Sequence, residues 1–345
     1  MRKILKMNQP KISCYTVYGA LFSIIEEQAW PWVYSNFIQL MYHKDWQMLA
    51  FEDHDGLLEN CPFLRIESIN LCDCNSQEVF VNQICSFINS NYYLYLFLDW
   101  KVLFPELIVK NLAHNTVISG YDEAKNVFFL SDNYIKNKFA TITIDMSIVY
   151  KAFLSAKSAS VGNTYDNDGT SNFDYLSRIS AYKYLPNISS KINKDDILNK
   201  IKSYLFSYSN SPIKDNNCYG LNIYKLLIDS LQQKNDYPLS IRDLHMLYEH
   251  KALMENRISY LQESKIIENG LLDEAHKLTS ISLFLQSVYL KSLMKSFKAK
   301  NLYIQTATQP VEIDLDTINE MICALNKMLV LDEKLMNKFV KYLQA

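Results

Sequence analysis

Two styles of sequence meet near residue 165, and that junction limits the folds open to this chain more than any other feature. Up to about residue 155, strand-length apolar runs alternate with helical stretches; beyond about residue 190 nearly every periodic segment is helical. Between them, Val161-Gly-Asn-Thr-Tyr-Asp-Asn-Asp-Gly-Thr-Ser-Asn172 consists of residues that favour turns and loops. The pattern predicts an α+β chain: a mixed first domain over 1–160, a linker over 161–175 and an all-α helical domain over 176–345.

In the first part, Val17, Ala20, Leu21, Ile24 and Ile25 recur on a helical period, predicting a helix over 14–27 with Ser13 as its cap and Trp30-Pro31 as its stop. A second helix is expected over 77–90. Tyr92-Tyr-Leu-Tyr-Leu-Phe-Leu98 reads as a buried strand. Residues 115–119 and 126–130 form a hairpin pair turning at Gly120-Tyr-Asp-Glu123, and 139–144 adds a further strand. Helices are expected over 195–207, 221–234, 240–261, 271–298 and 314–344, the last broken near Val330-Leu-Asp332. Ser240-Ile-Arg-Asp243 fits a capped helix start.

Composition narrows the function classes. A chain of 345 residues, 49% hydrophobic and 21% charged, is large enough for two packed cores. A formal net charge of −2 without a basic stripe sets nucleic-acid partners aside, since phosphate binding needs clustered Lys and Arg. No run reaches the roughly 18–20 apolar residues of a membrane helix, and no secretory leader is visible, so a cytoplasmic location with no membrane partner is expected. Seven cysteines at irregular spacing do not form a disulfide framework. Cys72-Asp-Cys74 has one intervening residue where structural zinc sites use two to four, so no metal is expected and these thiols read as small hydrophobes.

A cysteine nucleophile needs thiolate character, which a helix N-terminus and a neighbouring imidazole both promote. Cys14 opens the first expected helix. Of six histidines, His43 and His54 fall in polar stretches and His245, His250 and His276 on helices of the second half. His114 opens a strand, and Asp132 lies at the outer end of the hairpin partner, where it can hold the far ring nitrogen as a triad acid does. Cys14, His114 and Asp132 are therefore the candidate catalytic residues.

These residues carry a resemblance. Cys14-Tyr-Thr-Val-Tyr-Gly19, Asp99 followed by Pro105, His114-Asn-Thr-Val-Ile-Ser-Gly-Tyr-Asp122 and Val127-Phe-Phe-Leu-Ser-Asp132 together resemble the N-terminal-like family of butirosin biosynthesis protein H. The similarity covers residues 10–150 or so. It implies a papain-like cysteine-enzyme domain, followed here by the helical domain, and an acyltransferase of antibiotic-type biosynthesis. Such an enzyme takes an acyl group from the phosphopantetheine thioester of an acyl or peptidyl carrier protein and passes it to a small-molecule amine, with no cofactor of its own. Carried over, Cys14 attacks the thioester, His114 takes the proton and Asp132 holds the imidazole. Papain-like enzymes place an oxyanion-hole glutamine six residues before the cysteine; here Asn8 is sixth and Gln9 fifth, and both are candidates. Asp99 and Pro105 read as shaping the cleft wall, and Lys101, Lys110, Lys136 and Lys138 as docking candidates for an acidic carrier protein.

Three alternatives stay open at this point: a thioesterase or cyclase releasing a carrier-bound chain, a peptidase, and a non-catalytic binding module that keeps the papain fold.

Overall fold

The strand signals of the first half come together in one antiparallel sheet, and the most apolar of them lies inside it. A computed structural model describes residues 1–345 apart from 53, 55, 71–75, 107, 109–110, 136–137, 163–177, 210–216, 235–238, 301–312 and 345. The chain opens with β1 (Arg2–Ile4), α1 (Thr16–Ile24), α2 (Trp30–Ser35), β2 (Leu40–His43), β3 (Met48–Phe51) and β4 (Leu64–Asn70). Next come α3 (Gln77–Asn89), β5 (Tyr93–Asp99), α4 (Trp100–Leu103), β6 (Ala113–Asp122), β7 (Val127–Ile135) and β8 (Lys138–Asp145). α5 (Met146–Gly162), β9 (Arg178–Tyr184), α6 (Lys194–Phe206), β10 (Cys218–Tyr219) and α7 (Asn222–Leu231) follow. Three long helices close the chain: α8 (Ile241–Glu263), α9 (Leu272–Lys300) and α10 (Leu315–Gln344).

The chain divides into two compact units, Met1–Gln28 with Leu57–Ser189 and Ala29–Gly56 with Ser190–Ala345. This departs from the division expected at residues 161–175. Residues 29–56 group with the second unit, and β9, expected in a helical domain, runs between β4 and β5 in the first unit's sheet. Residues 163–175 of the expected linker lie outside the described residues, and 161–162 end α5.

The first unit holds a seven-stranded sheet in the order β4-β9-β5-β6-β7-β8, with β1 paired to β6. β5 and the second half of β6 are largely buried, as strands flanked on both sides should be, whereas edge strand β8 alternates. Phe80, Ile84 and Ile88 of α3 and Val149, Ala152 and Phe153 of α5 pack on Leu94, Leu96, Leu98, Ile118 and Leu130. Each of these side chains larger than alanine contributes about 1.5–3 kcal/mol by leaving water. The hairpin turns later than expected. β6 continues through Gly120 to Asp122, and the turn is closed by Asn126 N–H donating to Glu123 O at 3.1 Å, with Asn126 at φ 53°. Gly120 lies beside β1, where a Cβ would come within 2.7 Å of Lys3 O, so its glycine admits the neighbouring strand.

The second unit is not all-α. β2, β3 and β10 form a small antiparallel sheet beside helices α2 and α6 to α10. The capping box at Ser240 and Asp243 is formed as expected. α10 runs unbroken through 330–332: Val330 faces solvent and Asp332 is buried, the reverse of a surface helix pattern, which is what imitates a break. No helix among the described residues is long and apolar enough to cross a membrane.

Candidate active site

Helix α1 begins at Thr16, with Tyr15 as its N-cap in an extended conformation and no side-chain cap. Ser13 is therefore not the cap, and Cys14 precedes the helix by one residue beyond the cap instead of riding on its first turn. Trp30-Pro31 starts α2, and α1 has already ended at Ile25. Cys14 is buried. Its neighbours are tied to β7: Asn133 Nδ2 donates to Ser13 O at 3.0 Å, and Thr16 Oγ1 donates to Asp132 Oδ1 at 2.5 Å.

His114 stands opposite Leu98 in the β5–β6 pairing. Its Nδ1 lies 2.8 Å from Asp132 Oδ2 and 3.1 Å from Asn115 O. Both partners are acceptors, so in the neutral ring Nδ1 carries the proton and Nε2 keeps its lone pair. The side chain is 30% exposed, whereas Asp132 is completely buried. Asp132 is surrounded by donors: His114 Nδ1–H and Thr116 Oγ1 (3.4 Å) on Oδ2, Thr16 Oγ1 and the Asn133 N–H (2.7 Å) on Oδ1. An ionised carboxylate accepts at every lone pair, so four donors suit it.

Two phenols near this carboxylate are held neutral. Burial, and after it the Asp132 charge, push the hydroxyls of Tyr95 and Tyr134 well above their ordinary range. Tyr134 OH bonds Thr116 Oγ1 at 2.7 Å, extending the network one step beyond Asp132. The Trp100 ring lies against His114, with centroids 4.3 Å apart and planes tilted by 39°.

The oxyanion candidates fare differently. Asn8 Nδ2 donates to Ile25 O at 3.0 Å and Asn8 N–H to Ser23 O at 2.9 Å. Both carbonyls belong to the C-terminal end of α1, the end away from Cys14, so the Asn8 amide is occupied as a helix-end cap. Gln9 is exposed. The structure brings the Cys14 segment, His114 and Asp132 to one place and leaves Asn8 out of it. Of the docking candidates, Lys101 and Lys138 are exposed, while Lys110 and Lys136 lie outside the described residues, as do Cys72 and Cys74. Cys61 and Cys85 are buried thiols, pushed by burial up to about 12 and about 11 respectively.

No protein-family model matches the chain, and no curated protein matches it either. Sequence reading missed Thr16, Thr116, Asn133 and Trp100. Thr116 sits two residues after His114 on β6, a spacing that returns a strand side chain to the same side, and that was the available signal; Thr16 had none. An oriented imidazole beside a cysteine-bearing segment suits nucleophilic catalysis in which Nε2 accepts and returns a proton.

Proposed function

We propose that this chain is a cysteine-nucleophile acyltransferase of papain-like architecture, moving an acyl group from a carrier-protein thioester to an amine through an acyl-Cys14 intermediate. One observation carries the reading. The Asp132 carboxylate holds His114 through one oxygen and Thr16, two residues from Cys14, through the other. An antiparallel sheet with His and Asp on neighbouring strands and the cysteine just ahead of a helix is compatible with the papain-like arrangement.

In this mechanism Cys14 Sγ attacks the thioester carbonyl while His114 Nε2 takes its proton. The tetrahedral adduct collapses, the carbon–sulfur bond to pantetheine breaks, and the departing thiolate takes the proton back. The amine nitrogen then attacks the acyl-Cys, its proton passing through Nε2 to Cys14 Sγ as that bond breaks. Asp132 keeps Nδ1 protonated and Nε2 directed outward throughout. In this reading the Cys14 backbone N–H is one oxyanion donor, and Gln9 is the remaining side-chain candidate because the Asn8 amide is taken up at the far end of α1.

Intact-mass analysis with a panel of acyl thioesters tests the reading. Native protein is expected to gain one acyl mass, Cys14→Ala none, and added amine is expected to discharge the adduct faster than water does. Discharge by water alone would favour the thioesterase reading, and equal labelling of both proteins would remove Cys14 as nucleophile.

A further inference from the structure

The sheet is irregular close to the cysteine segment, and the irregularity carries a side chain that the proposed mechanism does not use. β7 and β8 pair in register as far as Asp132 opposite Ala140 and resume one residue out of step at Ile135 opposite Lys138. The bulge falls at Asn133 and Tyr134. A bulge re-aims the side chains it contains, and bulges are over-represented beside active sites. Here the Asn133 carboxamide reaches the segment that carries Cys14.

Asn133 Nδ2 donates to Ser13 O at 3.0 Å. A carbonyl oxygen only accepts, so the carboxamide must turn its nitrogen towards Ser13. That orientation leaves Asn133 Oδ1 buried and without a hydrogen-bond partner among the described residues. An unpaired buried acceptor is costly and calls for a reason. The bond the carboxamide does make falls on the peptide of the nucleophile. The Asn133 N–H donates to Asp132 Oδ1 (2.7 Å), the same oxygen that accepts Thr16 Oγ1 (2.5 Å). Two consecutive residues of β7 thus hold the chain on both sides of Cys14, at Ser13 and at Thr16. Between these anchors Tyr15 is extended, with φ −125° and ψ 149°.

The Ser13–Cys14 peptide is trans, so its N–H points opposite to its C=O. With Ser13 O held against Asn133, the Cys14 N–H is aimed away from that side chain. We infer that Asn133 is a positioning residue for acyl transfer: its hydrogen bond to Ser13 O fixes the direction of the Cys14 N–H, the backbone oxyanion donor. This rests on the cysteine–histidine reading above. When Sγ bonds to the thioester carbon, the carbonyl electron pair moves onto oxygen, and stabilisation is largest when the donor is already in place. Displacement of iodide from iodoacetamide forms a sulfur–carbon bond too, but it puts no charge on a carbonyl oxygen. The two reactions therefore separate aiming the N–H from making the thiolate.

The test uses full-length protein and two readouts at Cys14, assigned by peptide mapping: alkylation by iodoacetamide across pH 5–9, and acylation by the acetyl thioester of N-acetylcysteamine. His114→Ala is the reference for the underlying reading. If it alkylates with the native pH profile, the Cys14–His114 pair fails and this inference fails with it. If the pair stands, Asn133→Leu, similar in volume and without a donor, is expected to slow acylation about tenfold or more. Its alkylation rate and pH profile are expected to stay within about threefold of native, because no oxyanion forms in that reaction. Asn133→Asp, which turns an acceptor towards Ser13 O, should show the same split. Native acylation in both variants would overturn the proposal while leaving the pair intact. Equal slowing of acylation and alkylation would overturn it as well, marking the effect as packing around the thiol. Should Asn133→Leu fail to fold by circular dichroism, Asn133→Asp decides by the same split. If neither variant folds, Asn133 is a residue of the fold and the proposal falls.

Discussion

Lys251→Met should destabilise the second unit strongly, although it replaces a charged residue by an apolar one of similar length in a buried place. Lys251 and Asp332 are each about 1% exposed and form an ion pair. Asp332 Oδ2 also accepts Tyr204 OH (2.6 Å) and Tyr224 OH (2.9 Å), and Lys251 Nζ donates to Tyr204 OH (2.7 Å). The ammonium lies 4.9 Å and 5.5 Å from the centroids of the Tyr204 and Tyr224 rings. Burial lowers the Lys251 pKa and the Asp332 charge opposes that, so the two groups depend on each other. Removing the ammonium leaves a buried carboxylate with two phenol donors and an Oδ1 that has no partner among the described residues. Breaking a buried pair on one side costs about 3–5 kcal/mol. At about 2–4 °C per kcal/mol for a unit of this size, the melting temperature should fall by about 6–20 °C. Lys251→Met/Asp332→Leu should recover part of this, since the Tyr204 and Tyr224 hydroxyls still bond each other and only the donor left over is unpaired, at about 1–3 kcal/mol. Adding Tyr204→Phe and Tyr224→Phe should return stability to within about 2 kcal/mol of native. Urea denaturation followed by tryptophan fluorescence is a suitable assay, because Trp30, Trp32 and Trp46 lie in this unit and Trp100 in the other. A loss below about 1 kcal/mol in Lys251→Met would refute the reasoning, since a truly buried charge cannot lose its partner so cheaply.

Burial first, then the Lys251 and Arg257 charges, hold the His250 pKa well below its ordinary value, while its Nε2 donates to Ile38 O at 2.8 Å. The unfolded chain takes up a proton below about pH 6.5 that the native one refuses, so stability present above that pH is lost as pH falls, by at most about 1.4 kcal/mol per unit. His250→Gln should flatten that slope in urea titrations between pH 6.5 and 5; an unchanged slope would show that His250 is protonated in the native state. His245 acts in the opposite sense. Burial lowers its pKa, but the hydrogen bond and charge of Glu249 and the Gln286 hydrogen bond raise it overall, so the comparison is cleanest in a His245→Gln background. Gly220→Ala should cost about 2 kcal/mol or more by denaturant titration, because Gly220 sits at φ +55° and a Cβ there would lie 2.0 Å from Tyr204 O, a backbone atom that cannot swing aside. In the acylation assay, Thr16→Val should slow the step about tenfold with little change in KM, and Asp132→Asn by about a thousandfold or more; native rates in both would separate this carboxylate from the chemistry.

Much of the frame was legible before any coordinates. The runs at 92–98, 115–119, 126–130 and 139–144 became β5 to β8, because continuous or alternating apolar residues carry their own burial preference. The Ser240 cap was legible for the same local reason, since its partners lie within one helical turn. The His114–Asp132 pair followed from a single hairpin, in which sequence distance and register together bring two side chains close.

Tertiary structure decided the rest. β9 has a mixed sequence and becomes a strand through two neighbours, β4 and β5, that lie far from it along the chain. β2, β3 and β10 join residues 29–56 to the second half of the chain, and no local period announces a pairing across so long a gap. Asp332 resembled a helix break until Lys251, Tyr204 and Tyr224 surrounded it. Asn8 resembled an oxyanion donor until it was found at the far end of α1. Local preference comes from a residue and its neighbours within a turn or two and is written in sequence. Burial of polar groups, strand partners and the meeting of Thr16 with Asp132 depend on contacts between distant segments, and only the folded chain makes them.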